Sequence, residues 1–303
     1  MKLYMGIDAG GTKTDCAIGD GASLLGEATG ESCKVAQVGN EEARRNLHNA
    51  ILRTCQSARV APRDLEQICI GISGASVPGN ASWVQTVIHE LVACEVQVIG
   101  DHIVAHHAAF GGGPGVLVIA GTGSIAYGIN EHGEHARAGG WGAIASDQGS
   151  AFWIGREAVA ESLLAFDSGR RDGMFTIVAQ GWNVSTHDEV VRIANSGALS
   201  RFSELAKPVA EAADLGNPEA ATIMARAGQE LAELAGAVII RLWPAEQVVR
   251  VAVAGGVLQG SVVVQKSFQS ALEVKHPRVV VNLAKVRPVI GALAIALGRR
   301  ETQ

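Results

Sequence analysis

The sequence predicts an α/β protein of two domains, because both halves of the chain begin with a strand, a glycine-rich turn and a returning strand. The first turn contains Gly10 and Gly11, and the second contains Gly121 and Gly123. The length of 303 residues is typical of two domains. We therefore expect domains at residues 1–112 and 113–303, with a helical insertion in the second at about 149–243.

In the first half, apolar runs predict strands at residues 3–8, 14–19, 25–28, 68–72 and 96–99. Asn40 is expected to cap a helix whose apolar stripe contains Leu47, Ile51 and Cys55. Further helices are expected at residues 83–93 and directly after Asp101. The order of elements is strand, strand, strand, helix, strand, helix, strand, helix.

After a glycine-rich linker at residues 111–115, the second half repeats the opening unit of strand, glycine turn and strand as a weak internal repeat. Strands are predicted at residues 116–120, 125–129, 249–254 and 278–282, and helices at 262–272 and from Pro288 onwards. The clearest helix ends the insertion, with Asn217 as its cap, Pro218 at its first position and Pro244 after its end. For the last helix, packing back onto the first domain is one option.

Composition excludes several classes of protein. The net charge is −5 and no run of Lys or Arg occurs, so a nucleic-acid partner is not expected. No apolar run approaches membrane-spanning length. The five cysteines are widely spaced and contain no C-x-x-C pair, which predicts buried, reduced thiols in a cytoplasmic protein and no zinc or iron–sulfur site.

The first glycine turn lies in the segment Ala9-Gly10-Gly11-Thr12-Lys13. It is nearly a P-loop, but Lys13 follows Thr12 and the next segment is a strand, whereas a P-loop leads into a helix. The dinucleotide-binding fingerprint is absent for the same reason. The remaining alternatives are an anion-binding hairpin with a bare backbone tip, in which Asp8 could hold Mg²⁺ through water, and a plain structural hairpin.

The second turn, Gly121-Thr122-Gly123-Ser124, has the same chemistry, with two glycines and two hydroxyls after an apolar strand. Two such turns, one in each half, indicate that both halves bind one polyphosphate. A third pair, Gly255-Gly256, follows another apolar strand, where an adenine ring or ribose can lie against the backbone.

Asp101 follows an apolar strand and a glycine, a position suited to a general base that takes a proton from an alcohol. It could equally be a helix N-cap. Asp147 has the same ambiguity, as a cap for the helix near Gly149 or as a ligand of sugar hydroxyls. His102, His106 and His107 are interpreted as ordinary helix-face residues, since no suitable third metal ligand accompanies them apart from Asp101.

These segments resemble the N-acetylglucosamine kinase branch of the BadF/BadG/BcrA/BcrD ATPase family, in the actin–hexokinase–Hsp70 superfamily. The likeness runs in order over nearly the whole chain. Its most specific part is Gly139-Gly140-Trp141-Gly142 with Asp147-Gln148-Gly149-Ser150 and Trp153-Ile154-Gly155. The resemblance implies two ribonuclease-H-like domains with ATP in the cleft between them, Mg²⁺ as a cofactor, an amino sugar as substrate and a homodimer.

The resemblance also implies residue roles. Asp101 would take the proton from the sugar 6-hydroxyl, and Asp8 would support Mg²⁺. The implied nucleotide contacts are Gly10, Gly11, Thr12, Lys13, Gly121, Thr122, Gly123, Gly255 and Gly256. The implied sugar contacts are Ser73, Gly74, Gly140, Trp141 and Asp147.

The sequence departs from the family pattern near the sugar. The family has an Asn in the loop before the first helix, whereas this loop reads Ser32-Cys33-Lys34, and the family's Glu after Asp147 is Gln148 here. N-acetylglucosamine is the expected substrate, but Lys34 could favour a substrate with a carboxylate, such as N-acetylmuramic acid, and glucosamine is another contender.

Three rival functions are less well supported. A dehydratase activator needs clustered cysteines near the second turn, and none occurs after Cys94. A sugar-binding repressor would need a DNA-binding segment, and the chain starts directly with the first phosphate strand. A non-catalytic ATP-binding chaperone has no need of the 139–155 segment.

Overall fold

The computed structural model describes residues 2–170, 173–244 and 247–298. The chain divides into two compact units. Unit 1 contains the chain up to Gly113 together with the segment from Val286 onwards, and unit 2 is Pro114–Lys285.

Unit 1 is built on a five-stranded sheet. Its elements are β1 Leu3–Ala9, β2 Lys13–Gly19, β3 Leu24–Glu31, α1 Val35–Val38, α2 Asn40–Ala58, a 3-10 turn Pro62–Asp64, β4 Leu65–Ile72, α3 Asn80–His89, β5 Glu95–Gly100 and α4 Asp101–Phe110. The strand order is β3-β2-β1-β4-β5, in which β1, β4 and β5 are parallel and β2 is antiparallel to both of its neighbours.

Unit 2 repeats this arrangement and adds helices. Its elements are β6 Gly115–Ala120, β7 Ser124–Ile129, β8 His135–Gly139, α5 Ala151–Asp167, α6 Met174–Trp182, α7 His187–Ala194, α8 Ser200–Glu204, α9 Ala206–Asp214, α10 Pro218–Leu242, β9 Val249–Ala254, α11 Gly256–Gly260, α12 Val262–Lys275 and β10 Val279–Asn282. The strand order β10-β9-β6-β7-β8 matches that of unit 1. The predicted α/β class is confirmed.

Two local expectations were wrong or incomplete. Asn40 is not a cap: Gly39, at φ +79°, takes the cap position of α2, and Asn40 is the first helical residue. The apolar runs also predict no strand at β8, which is the third strand of the second meander. The start of α10 is as expected, because the Asn217 carboxamide oxygen accepts the N–H of Ala220 at 2.8 Å and Pro218 is at the first position.

The last helix, α13 Pro288–Ala296, belongs to unit 1 and packs against β1 and α4. Glycines make this close packing possible. A Cβ on Gly6 of β1 would overlap the backbone of Leu293, and a Cβ on Gly291 would overlap the carbonyl oxygen of Val104 on α4. No helix in the described ranges has both the length and the apolar character to cross a membrane.

We expect Gly291→Ala to lower the free energy of unfolding by about 3 kcal/mol, because two helix backbones must separate to admit the methyl group. Urea denaturation measures this change. Gly260→Ala is the matched control, because its Cβ would have no neighbour within 4 Å. Equal midpoints for the two variants would contradict the packing described here.

Candidate active site

Three strand ends of unit 1 lie side by side at one edge of its sheet. Ala9 at the end of β1 is paired with Ile72 at the end of β4, and Ile72 is paired with Gly100 at the end of β5. The segments that follow parallel strands in register leave the sheet at the same edge, where α/β proteins commonly bind ligands. The first glycine hairpin, Ser73–Gly74 and Asp101 therefore share this edge.

The tip of the first hairpin is closed by one hydrogen bond, from the Gly10 N–H to the Lys13 carbonyl at 3.0 Å. Thr12 and Lys13 are exposed there. The Lys13 ammonium pairs with the Asp15 carboxylate at 2.6 Å, and Asp15 also accepts the Thr29 hydroxyl at 2.6 Å. An exposed ion pair of this kind contributes little stability, so Lys13 can exchange Asp15 for an incoming phosphate.

Asp8 lies near the end of β1, opposite Asp15 on β2. Burial raises the pKa of Asp8 to about 7, with further upward contributions from the carboxylates of Asp101 and Asp15 and a downward one from Lys13. A carboxylate in these surroundings is stabilised by a nearby cation. In the described residues, no three His, Cys, Asp or Glu side chains are grouped to hold a metal ion, so a Mg²⁺ beside Asp8 would keep most of its water ligands.

Asp101 is the first residue of α4, and Gly100 takes the cap position without a side-chain bond. The interpretation of Asp101 as the N-cap is therefore wrong. Its Oδ1 accepts the backbone N–H of His102 at 2.9 Å, which fixes one carboxylate oxygen. The side chain remains 36% exposed, so the carboxylate is accessible to a ligand.

Two loops border this edge of unit 1. After β4, Gly74 adopts φ +75° and its carbonyl oxygen accepts the Asn80 amide at 3.1 Å. After β3, the Ser32 hydroxyl donates to the Gly10 carbonyl at 3.3 Å and accepts the Lys34 N–H at 3.2 Å. The exposed Lys34 therefore lies two residues after Ser32, which contacts the first hairpin.

In unit 2, the second hairpin is hydrogen-bonded to the start of α5. The N–H groups of Ala151 and Phe152 donate to the carbonyls of Gly121 and Thr122 at 2.9 and 3.3 Å. The Ser124 hydroxyl donates to the Gln148 carbonyl at 2.7 Å. These bonds fix the hairpin backbone, while Thr122 stays exposed at the tip.

The loop from Gly139 to Ser150 packs on the second hairpin. The Gly140 N–H donates to the Ser124 carbonyl at 2.8 Å. Asp147 is buried, adopts φ +64°, and places its carboxylate 2.6 Å from the position that a Cβ on Gly123 would occupy. Asp147 does not cap α5, because Ser150 does so through Trp153 N–H.

Trp141, in the same loop, is 67% exposed, and the guanidinium of Arg137 lies 4.0 Å from its ring centroid. A large exposed aromatic side chain held by a cation–π contact offers a face on which a sugar ring can stack.

Gly255 and Gly256 follow β9, whose Ala254 is paired with Ile119 of β6. They lie at the same sheet edge as the second hairpin. Gly255 has φ +89°, and a Cβ there would overlap the backbone of Ala120. Gly256 has no neighbour within 4 Å of its Cβ position, which leaves open space beside the strand end.

Asp15 and His102 also lie at this site, although the sequence does not single out Asp15 and predicts His102 to be an ordinary helix-face residue. Asp15 contacts Lys13, and the His102 ring folds back over Gly100 beside Asp101. No sequence motif marks either residue. Alternation along β2 could have placed Asp15 on the same face as Asp8 once the hairpin register was known.

We expect Asp8→Asn to stabilise the protein increasingly as pH rises from about 4 to 8 in the absence of nucleotide and divalent cation. Folded Asp8 has a raised pKa, so the folded state binds more protons than the unfolded state, and its stability falls as pH rises towards 7. Asparagine removes this loss, which is of the order of 4 kcal/mol above pH 7.

Urea denaturation at several pH values measures the difference between Asp8→Asn and the wild type. Asp20→Asn serves as the contrasting control, because N–H groups of Ala22 and Ser23 lower the pKa of Asp20 and the sign reverses. Parallel stability curves for Asp8→Asn and the wild type would contradict the buried setting of Asp8.

Comparisons with known proteins identify relatives that match nearly the whole chain. The chain is 30% identical over 302 residues to the N-acetylmuramic acid/N-acetylglucosamine kinase of Clostridium acetobutylicum, with 98% of each protein covered. It is 24% identical over 316 residues to the N-acetyl-D-glucosamine kinase of Dictyostelium discoideum, with 99% of each covered.

Among solved structures, the fold is similar to that of a candidate N-acetylglucosamine kinase from Chromobacterium violaceum, with a TM-score of 0.79, 23% identity and 98% and 99% of the two chains covered. It is also similar to a ROK family glucokinase from Streptomyces griseus in complex with glucose and AMPPNP, with a TM-score of 0.62, 16% identity and 98% and 100% covered. Residues 5–296 match the BadF/BadG/BcrA/BcrD ATPase family, and the chain therefore belongs to that family.

Proposed function

We propose that this protein is an ATP-dependent kinase that phosphorylates the 6-hydroxyl of an amino sugar. The observation that carries the proposal is the shared sheet edge of unit 1, which holds the first glycine hairpin, Asp8 and Asp101. The full-length relative from Clostridium acetobutylicum supports N-acetylglucosamine or N-acetylmuramic acid as the substrate. N-acetylglucosamine is our first choice, and glucosamine is a further alternative.

In the proposed reaction, Asp101 accepts the proton of the sugar hydroxyl while that oxygen attacks the γ-phosphorus of ATP, and the bond from the γ-phosphorus to the bridging oxygen breaks so that ADP leaves. The His102 N–H holds one oxygen of Asp101. The second oxygen is then the acceptor of the proton. Phosphoryl transfer otherwise asks for positioning and charge neutralisation rather than covalent chemistry by the protein.

Backbone N–H groups of the two glycine hairpins bind phosphate oxygens in this proposal, with the hydroxyls of Thr12 and Thr122 and the Lys13 ammonium as further donors. The nucleoside lies against Gly255 and Gly256, where the open space beside Gly256 supports a close approach. Bound Mg²⁺ would neutralise phosphate charge, and Asp8 is the residue that would hold it through water.

For the sugar, we propose contacts with Ser73, Gly74, Gly140, Trp141 and Asp147. The exposed ring of Trp141 supports this assignment, because its indole face is accessible. We further propose a cytoplasmic homodimer. The five free thiols fit a reducing compartment, and the dimer rests on the family resemblance.

Gly121→Ala should weaken binding of a non-hydrolysable ATP analogue by about tenfold without changing stability, because its methyl group would enter space proposed for phosphate and would meet no protein atom within 4 Å. Calorimetry measures the affinity for the ATP analogue, and urea denaturation measures the free energy of unfolding. Gly123→Ala is the matched comparison, and it should lose stability as well, because its methyl group meets the Asp147 carboxylate. Unchanged nucleotide affinity in Gly121→Ala would remove the second hairpin from the phosphate site.

Asp101→Asn should cut phosphoryl transfer by about 10²–10⁴-fold and leave binding of the ATP analogue within about twofold. The assay measures the rate of ADP release with each of four sugars as substrate: N-acetylglucosamine, N-acetylmuramic acid, glucosamine and glucose. The amino sugars should support turnover well above glucose. ATP turnover that is independent of sugar would contradict the kinase proposal and favour an ATPase activator, and near-normal turnover in Asp101→Asn would remove Asp101 as the base.

A further inference from the structure

We propose that His102 is a positioning residue for Asp101, an inference that rests on the proposed function. His102 is the second residue of α4, and its ring does not extend into solvent but folds back over the end of β5. The Nδ1 atom lies 3.6 Å from Oδ1 of Asp101, beside the oxygen that accepts the His102 N–H.

Gly100 makes this position of the ring possible. A Cβ on Gly100 would lie 2.8 Å from Nδ1 and 3.2 Å from Nε2 of His102, and closer still to Cε1. Any other residue at position 100 would therefore push the ring away from the strand end. The φ of Gly100 is −67°, which every L-residue adopts, so the reason for glycine here is space rather than backbone conformation.

The chemistry of the pair favours one tautomer. An ionised carboxylate only accepts hydrogen bonds, so the contact with the ring nitrogen that faces it is attractive when that nitrogen carries the hydrogen. Nδ1 lies 3.6 Å from Oδ1, which is beyond hydrogen-bond distance but close enough for electrostatic attraction to the same oxygen that the backbone N–H holds. The backbone hydrogen bond and the ring packed beside the same oxygen restrict rotation of the carboxylate and keep the other oxygen in one direction, so Asp101 meets the sugar hydroxyl in a fixed geometry.

The role of His102 is thus distinct from that of a base. The sugar proton goes to Asp101, and His102 gives up and takes up none. Its contribution lies in the alignment of Asp101, which affects kcat, and it touches neither nucleotide nor sugar in this proposal, so KM for both substrates stays unchanged.

Two substitutions separate the hydrogen-bond donor from the bulk of the ring. Asparagine places an amide N–H at the same distance along the side chain as Nδ1, whereas leucine has similar bulk and no donor. We expect His102→Leu to lower kcat about tenfold, with KM for ATP and sugar within about twofold, and His102→Asn to retain kcat within about threefold. His107→Leu, on the same helix, is the matched control and should keep the wild-type kcat.

A double-mutant cycle with Asp101→Asn is the decisive measurement. Once the base is lost, its alignment has no further value, so His102→Leu should change the residual turnover of Asp101→Asn by less than about twofold. If the fold-losses in kcat of the two single variants multiply in the double variant, the positioning role is overturned. A merely structural defect would lower kcat equally in the wild type and in Asp101→Asn. Thermal unfolding of each variant checks folding, and Gly100→Ala, which displaces the ring, replaces His102→Leu if that variant does not fold.

The outcomes distinguish this inference from the function on which it rests. If the wild-type protein shows no sugar-dependent ADP release, both the proposed kinase function and the positioning role of His102 are contradicted. A wild-type kinase in which His102→Leu has the wild-type kcat would end the inference about His102 and leave the proposed function intact.

Discussion

The parallel register of β1, β4 and β5 is the constraint on which the candidate site of unit 1 depends. It aligns Ala9, Ile72 and Gly100, so that three chain segments leave the sheet at one edge. Asp8 and Asp101 are far apart in sequence and interact only because of this alignment. A slip of one residue in β1 would turn Asp8 to the opposite face of the sheet and remove it from this edge.

Unit 2 uses the same architecture with different contacts. Pairing of Ile119 with Ala254 brings the second hairpin and Gly255 to one edge. Here the hairpin is fixed by α5 and by the loop that contains Asp147, whereas the first hairpin accepts a hydrogen bond from Ser32 in the loop after β3. A buried carboxylate packed against a hairpin glycine couples the loop proposed for sugar to the hairpin proposed for phosphate, since neither can move without disturbing the other.

Much of this architecture could be predicted from sequence because the apolar runs are strong and local. Asn217 and Pro218 marked the start of α10 through side-chain chemistry alone. β8 was missed because it is a five-residue edge strand with alternating polar residues, and only the repeat of the first meander would have indicated it. The positions of Asp15 and His102 follow from strand register and from a ring packed over Gly100, which are tertiary features without a local signal.

Several glycines allow close packing around the candidate base of unit 1. Gly6 and Gly291 let α13 reach β1 and α4, the two elements that carry Asp8 and Asp101, and Gly100 lets His102 lie beside Asp101. Each of these glycines is required by space, since a Cβ would collide with a neighbour. The position of α4, which begins at Asp101, therefore depends on its packing against a helix almost two hundred residues further along the chain. In a chain with few aromatic residues and many glycines, close backbone packing of this kind takes the place of large side chains.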